Sequence, residues 1–126
     1  MDSFGWSIDV STMNNTSVVL VGGPAMYTGR VMVYENIKSP YNSPKLLQRS
    51  ELLPEYNHGY SVASGDFFKI GQMVYAVGST YGRHGAGSVN FFNEKRIDQL
   101  DKYVDKNVVG SMFGAVLCAA KFYENG

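Results

Sequence analysis

Few residues of this chain could perform acid–base or nucleophilic chemistry. There are two histidines, His58 and His84, and one cysteine, Cys118. A nucleophilic site needs a base beside the nucleophile and a third group that orients the base. The sequence pattern places no serine, aspartate or cysteine partner near either histidine, and Cys118 lies in an apolar run that predicts a small core residue. We therefore predict no catalytic residues and a protein that is not an enzyme.

Phosphate and metal binding are also poorly supported. Residues 82–87 read GRHGAG, but they lack the Lys-Ser/Thr of a phosphate-binding loop and precede a predicted strand instead of a helix. A single cysteine excludes a cysteine-based zinc cluster and an internal disulfide framework. Asp66 is expected to accept hydrogen bonds from nearby backbone amides in a turn. We predict no metal site and no cofactor in this segment.

The composition limits the classes of partner. The 126 residues are 17% charged and 13% aromatic, and 11 Lys plus Arg balance 11 Asp plus Glu. Charged residues average about a quarter of globular chains, so these values exclude a disordered tail. Zero net charge argues against nucleic-acid and anionic-membrane binding. No signal-peptide core is present, and no apolar run approaches the roughly 18 residues of a membrane span, so we expect a soluble chain or part of a longer one.

An internal repeat organises the chain. The segments FGWSIDV, HGYSVAS and FGAVLCA align, and their glycines, Gly5, Gly59 and Gly114, recur about every 55 residues. Two further segments recur in phase with them. Residues 18–24 match residues 73–79, and residues 29–34 match residues 87–92. The repeat divides the chain into units of residues 1–52 and 53–109 and the start of a third unit, residues 110–126.

Each repeated segment is short, rich in Val, Ile, Tyr and Phe, and bounded by Gly, Pro, Asn or Ser, which is typical of β-strands. The second segment of each unit is apolar at both alternating positions, so both of its faces must be covered. A ring of small sheets, each between two neighbours, provides this cover. We predict an all-β fold: a partial β-propeller of about two four-stranded antiparallel blades plus the first strand of a third.

The fourth strands are fainter. We expect one at residues 45–49 and an irregular outer strand within residues 97–109, although the second stretch also has the apolar spacing of a short amphipathic helix. Two units and a fraction cannot close a ring of typically four to eight blades. Either the chain continues, or it self-associates to complete the circle.

The order of these motifs resembles a known repeat. Aromatic-Gly-x-Ser, an apolar strand ending in Gly-Gly-Pro, and Gly-x-Val-x-Val-Tyr are similar to the FG-GAP repeat of integrin α-subunit propellers, invertebrate chains in particular. The motif residues are Phe4-Gly5 and Gly22-Gly23-Pro24 in the first unit, GYSVASGDF at 59–67 in the second, and Phe113-Gly114 in the third.

The resemblance implies a part of the extracellular head of a cell-adhesion and signalling receptor, a membrane glycoprotein. This head pairs with an integrin β subunit and binds extracellular matrix or cell-surface ligands. The implied location is the extracellular face of the plasma membrane, within a longer chain, and this segment itself inserts into no membrane and binds no nucleic acid.

The resemblance also implies contact residues. Integrin propellers present particular loops toward the β subunit and the ligand, and by position these loops contain Tyr27, Tyr81 and Arg83, which are residue types that often anchor interfaces. Ordinary loop residues are the alternative.

In the family, aromatic residues at the starts of the first strands cage a basic side chain of the β subunit. Phe4 and Phe113 match those positions, Trp6 and Tyr60 are close by, and His58 departs from the pattern. Packing around the propeller axis is the alternative for these aromatic residues.

Calcium is expected elsewhere in a full-length chain. Several late integrin blades carry an Asp-x-Asp-x-Asp-Gly loop. The equivalent loops here, residues 11–17 and 65–72, offer only Asp66 as a carboxylate and place Lys69 among the supposed ligands. Asn14 and Asn15 begin overlapping glycosylation sequons on a predicted loop, as an extracellular protein allows.

Two other functions stay open. FG-GAP propellers also occur as the non-catalytic part of secreted hydrolases such as the glycosylphosphatidylinositol-specific phospholipases, and the sequence on either side of this segment would distinguish such an enzyme from an integrin. The other alternative is a truncated product without receptor function.

Overall fold

All regular structure in the described residues is β-strand, so the predicted all-β class is confirmed. A computed structural model describes residues 3–13, 16–25, 29–35, 45–50, 56–69, 71–81, 86–93, 96–104 and 112–120. The strands are β1 (Ser7–Met13), β2 (Thr16–Gly23), β3 (Arg30–Glu35), β4 (Lys45–Ser50), β5 (Tyr56–Gly65), β6 (Val74–Tyr81), β7 (Ser88–Asn93) and β8 (Arg96–Val104).

The strands form two antiparallel sheets in which every strand pairs with the next strand along the chain. The first sheet has the order β1-β2-β3-β4 and the second has the order β5-β6-β7-β8. Both outer ladders are irregular, β3–β4 between Val33 and Tyr34 and β7–β8 between Phe91 and Asn93. Because β8 pairs with β7, the outer strand that we preferred over a helix in this part of the chain is present.

An apolar core lies where the two sheets stack. Registered partners share a face of a sheet, so Leu20 and Val33 of the first sheet project together, as do Val62 and Val77 of the second. The core combines residues of both sheets: Val18, Leu20, Val31, Val33, Val62, Met73, Tyr75, Val77 and Phe92. Apolar residues at alternating positions, most of them valines, thus line the face of each sheet that the other sheet covers.

Strand β6 is covered on both faces, as its apolar sequence predicts. All of its residues except Tyr81 are buried. Tyr75 and Val77 belong to the core between the sheets, whereas Ala76 joins a second cluster on the far face, against which Leu117 packs.

Strand β1 is covered on one face only, and the covered face is polar. Ser7, Asp9 and Ser11 are half-buried toward the second sheet. Ile8 and Val10 are 65% and 61% exposed. An apolar strand face left to solvent is unusual for a domain that is complete in itself.

Residues 112–120 do not form the predicted first strand of a third blade. Phe113 makes one isolated parallel bridge to Gly87, a turn follows, and residues 117–120 have no strand structure. A strand needs a neighbouring strand to complete its hydrogen bonds, and no strand among the described residues pairs with residues 117–120. The same lack of cover leaves Cys118 exposed, so the prediction of a core cysteine is wrong.

Equivalent positions in the two units should differ sharply in their effect on stability. Ile8 and Val62 both lie three residues after the repeated glycine, but Val62 is only 7% exposed. Val62→Ala should lower the free energy of unfolding by about 2 kcal/mol because it removes buried methyl groups and leaves a cavity. Ile8→Ala should change it by less than about 0.5 kcal/mol. Urea unfolding of both variants measures the difference, and equal losses would contradict the assigned faces.

Candidate functional site

The repeated glycine starts each unit with the same turn. Gly5, Gly59 and Gly114 have φ values of 89°, 92° and 85°. These values lie in the left-handed region, where residues with a Cβ are strained. In the first and third units a backbone hydrogen bond closes the turn, from Trp6 N to Ser3 O at 3.0 Å and from Ala115 N to Met112 O at 2.9 Å. We call this element the aromatic-Gly turn.

The aromatic-Gly turn of the second unit packs directly on the first sheet, at what we call the first junction. Ser7 Oγ donates a hydrogen bond to the Gly59 carbonyl oxygen at 2.9 Å. A Cβ at Gly22 would overlap that carbonyl oxygen, and a Cβ at Gly29 would overlap the carbonyl oxygen of His58. Backbone therefore touches backbone here, and only glycine leaves the necessary space.

The same contacts recur one repeat later, at the second junction. Ser61 Oγ donates a hydrogen bond to the Gly114 carbonyl oxygen. A Cβ at Gly78 would overlap that oxygen, and a Cβ at Gly87 would overlap the Phe113 carbonyl oxygen. Each of these contacts of the first junction thus has a counterpart in the second, with serine matching serine and glycine matching glycine.

The two junctions explain why the sequence segments recur in phase. Gly22 and Gly78 lie on the second strands, Gly29 and Gly87 come just before the third strands, and both pairs receive the next aromatic-Gly turn. The glycines are evident in the sequence repeat, but the role of the hydroxyl donors, Ser7 and Ser61, was not predicted. The signal was present in the aromatic-Gly-x-Ser motif, whose serine points to the following unit.

A polar cluster adds to the first junction alone. Asp9 Oδ2 accepts hydrogen bonds from Ser64 N at 2.8 Å and from Ser64 Oγ at 2.6 Å. Ser11 Oγ lies 2.6 Å from Ser64 Oγ. The position equivalent to Asp9 in the second unit is Ala63, so this cluster is not part of the repeat. Nothing in the periodic pattern pointed to it.

His58 is a buried residue of the first junction. Its Nδ1 atom lies 3.0 Å from Ser79 Oγ, and its ring contacts Phe92 edge-on at a centroid distance of 5.9 Å. The expectation that no serine lies near His58 is therefore wrong. The imidazole has no exposed surface, and burial lowers its pKa to about 4, so His58 is neutral at physiological pH.

The structure places the predicted aromatic residues in or directly after the aromatic-Gly turns. Phe4 and Phe113 are exposed in their aromatic-Gly turns, and the third residue at this position, His58, is buried. Trp6 and Tyr60 come together, with ring centroids 5.4 Å apart and planes inclined at 49°. A cage formed by these residues stays a prediction.

Of the predicted loop contacts, the structure describes Tyr81. This residue is the last of β6, is registered with Tyr56 and is exposed, so β6 extends into the segment that we expected to be a loop. Four predicted residues lie outside the described residues: Tyr27, Arg83, Asn14 and Asn15.

Asp66 has the turn-forming role that the sequence predicts. Its Oδ2 atom accepts a hydrogen bond from Gly71 N at 2.9 Å, across a turn in which Lys69 and Gly71 have positive φ values. The described part of the chain contains no group of three or more His, Cys, Asp or Glu that could hold a metal ion.

No helix within the described ranges has the length and apolar character to cross a membrane.

Neither a protein-family model nor a curated protein matches the sequence. The resemblance to FG-GAP repeats therefore rests on the residues of the motifs.

A methyl group at the first junction should destabilise the chain. Gly22→Ala places a Cβ against the Gly59 carbonyl, which belongs to the backbone and cannot rotate away. We expect a loss of about 1–3 kcal/mol in the free energy of unfolding. Gly65→Ala is the matched control, because its Cβ would lie 3.4 Å from the Phe67 ring, an ordinary contact. Urea unfolding should show a loss for Gly22→Ala alone, and equal stabilities would contradict the junction.

Burial of His58 should make stability depend on pH. The pKa of His58 is about 4 in the folded chain, against an ordinary histidine pKa of 6.5, so between these values the unfolded chain binds a proton that the folded chain excludes. Stability should therefore fall as the pH drops from 6.5 toward 4, by about 3 kcal/mol in total.

The equivalent positions in the other two units are occupied by Phe4 and Phe113. His58→Phe should therefore fit the turn and remove the contribution of His58 to the pH dependence of stability. The measurement is urea unfolding at a series of pH values, in a His84→Gln background that removes the other histidine. The same pH dependence with and without His58 would refute the assignment.

Proposed function

We propose that this chain is a segment of an FG-GAP β-propeller of the integrin α type. In this proposal residues 1–52 and 53–109 are successive four-stranded blades, and residues 110–126 begin a third. The supporting observation is the repetition of one junction, first at Gly59 and then at Gly114. Each pair of neighbouring blades in a ring is related by the same rotation about the ring axis, so each blade must offer the same contacts to the next.

The burial of the sheets supports the same arrangement. In a ring every blade lies between two others, so a blade with both neighbours has two covered faces and a blade with one neighbour has a bare face. Strand β6 is covered on both faces, whereas β1 exposes Ile8 and Val10. A two-sheet sandwich complete in itself would cover its apolar faces and expose its polar ones.

The function that we propose is adhesion, without catalysis. The segment contributes to the extracellular head of a receptor that pairs with an integrin β subunit and binds matrix or cell-surface ligands. The support is the distribution of exposed aromatic side chains. The start of β5 is registered with the end of β6, and the end of β6 with the start of β7. Phe4, Phe113 and Tyr81 consequently lie at the same end of the sheets.

Exposed aromatic side chains at this end are suited to a protein interface, because aromatic residues are enriched among interface anchors. Phe67 and Phe68 are exposed at the opposite hairpin, where both rings contact Phe91. The proposed contacts are Tyr27, Tyr81 and Arg83, with Phe4 and Phe113 on the turns. Calcium loops and the membrane anchor belong to other parts of the full-length receptor, and Asn14 and Asn15 are the proposed glycan acceptors.

Removal of two proposed anchors should weaken the receptor. Tyr81→Ala combined with Arg83→Ala in the full-length receptor should reduce β-subunit pairing or ligand capture by about tenfold, the loss of one strong anchor. Co-precipitation of the β subunit and adhesion of transfected cells are the readouts. Phe67→Ala, an exposed aromatic residue on the opposite hairpin, is the control and should leave both unchanged. Normal surface expression and adhesion in the double variant would refute the assignment of this end as the contact surface.

A further inference from the structure

The contacts that recur at both junctions place no demand on the side chains of the docking segment. At each junction a serine hydroxyl donates to a backbone carbonyl, and a second-strand glycine leaves room for that carbonyl. Every unit has such a carbonyl, because it belongs to the repeated glycine of the aromatic-Gly turn. The repeated contacts alone would therefore accept the turn of any unit.

The polar cluster of the first junction, in contrast, depends on side chains of both units. Asp9 and Ser11 come from β1, and Ser64 comes from β5. Ser64 Oγ donates a hydrogen bond to Asp9 Oδ2 at 2.6 Å. A serine has one hydroxyl proton, so the 2.6 Å contact between Ser11 Oγ and Ser64 Oγ is a hydrogen bond that Ser11 donates. Two hydroxyl groups thus form a chain that ends on a carboxylate, and hydrogen bonds in such chains strengthen one another.

The second junction has apolar residues at the equivalent positions. Asp9 is the fourth residue after its repeated glycine, and Ser64 is the fifth residue after its own. The corresponding residues of the second junction are Ala63, in place of Asp9, and Ala119, in place of Ser64. A carboxylate thus meets a hydroxyl at the first junction, whereas both equivalent positions of the second junction carry only a methyl group.

We propose that Asp9 makes the receiving surface of the first sheet selective for the segment that docks on it. The segment that fits has an aromatic-Gly turn and a hydroxyl side chain at the fifth residue after the glycine, and Ser64 provides that hydroxyl. The two units belong to one chain, so the selectivity decides which sequences are compatible with docking, and neighbouring blades are not interchangeable. The inference concerns the contact between units and does not rest on the proposed adhesion function.

The selectivity comes from the hydroxyl of Ser64 and not from its backbone. Ser64 N also donates to Asp9 Oδ2, at 2.8 Å, but every residue except proline has this N–H group. With alanine at position 64 the carboxylate would keep this bond and lose the shorter one. Ser64 is 5% exposed, so little water can reach the side of the carboxylate that faces it. A polar group that loses a buried partner destabilises the fold, most strongly when the group is charged.

Substitutions at positions 9 and 64 of the full chain test the selectivity. Ser64→Ala should raise the unfolding equilibrium constant about tenfold, because the carboxylate loses a buried donor. In an Asp9→Ala background no carboxylate needs that donor, and Ser64→Ala should change the constant by less than about twofold. Urea unfolding of the four chains of this double-mutant cycle measures both effects.

Ser61→Ala is the matched control. Ser61 lies on the same strand as Ser64 and is 7% exposed, but its hydroxyl donates to the Gly114 carbonyl and not to Asp9. The loss caused by Ser61→Ala should therefore be the same with and without Asp9→Ala. If Asp9→Ala weakened the whole junction, it would change the effects of both serine substitutions, whereas a selective pair changes only that of Ser64→Ala.

The carbon-13 chemical shift of the Asp9 carboxyl group reports the hydrogen bond directly. This signal should move in Ser64→Ala and stay in place in Ser61→Ala. The nuclear Overhauser effect between Gly22 and Gly59 should persist in both variants, because the backbone contact of the first junction involves neither substituted hydroxyl. Equal effects of Ser64→Ala in the two backgrounds, or an Asp9 carboxyl signal that does not respond to Ser64→Ala, would overturn the proposal.

Discussion

The structure depends on the contact of one backbone with another across each junction. A carbonyl in the aromatic-Gly turn lies against a second-strand glycine and accepts a hydrogen bond from a first-strand serine. Interiors are packed closely, and a single methyl group in such a contact displaces backbone. The junction thus fixes the distance between the sheets. It also requires glycine at Gly22 and Gly78, and a left-handed conformation at Gly59 and Gly114.

This constraint accounts for the unusual polarity of β1. The face of β1 toward the second sheet carries Ser7, Asp9 and Ser11, because hydroxyl and carboxylate groups there bind the backbone and the Ser64 side chain of the next unit. Buried polar groups are tolerated when they have hydrogen-bond partners. The opposite face carries Ile8 and Val10, which suits cover by another sheet. The polarity of the strand therefore follows from its neighbours on both sides, and a single sheet would not explain it.

The class of fold could be predicted from the sequence because the alternation of apolar residues and the β-strand propensity of each segment depend only on residues close together in the chain. In-phase glycines and Val-rich segments located the inner strands to within a few residues. The spacing of apolar residues in β8 also fitted a helix, and a strand was preferred because weak patterning is expected of the outer strand of each unit. The sequence could not predict contacts that depend on the distance between sheets, such as the pairing of Asp9 with Ser64. It also could not predict pairs that depend on the register of neighbouring strands, such as His58 with Ser79. The segment around Cys118 has the composition of a strand, but composition alone supplies no hydrogen-bonding partner.

Nuclear Overhauser effects between glycines across the junctions test the repeated contact most directly. Sheets joined through these glycines should give cross-peaks linking Gly22 with Gly59 and Gly78 with Gly114 in the same sample. Cross-peaks within the sheets, such as those between Leu20 and Val33, report that each sheet is formed. Intact cross-peaks within the sheets, with either junction pair absent, would contradict a structure built from one repeated junction.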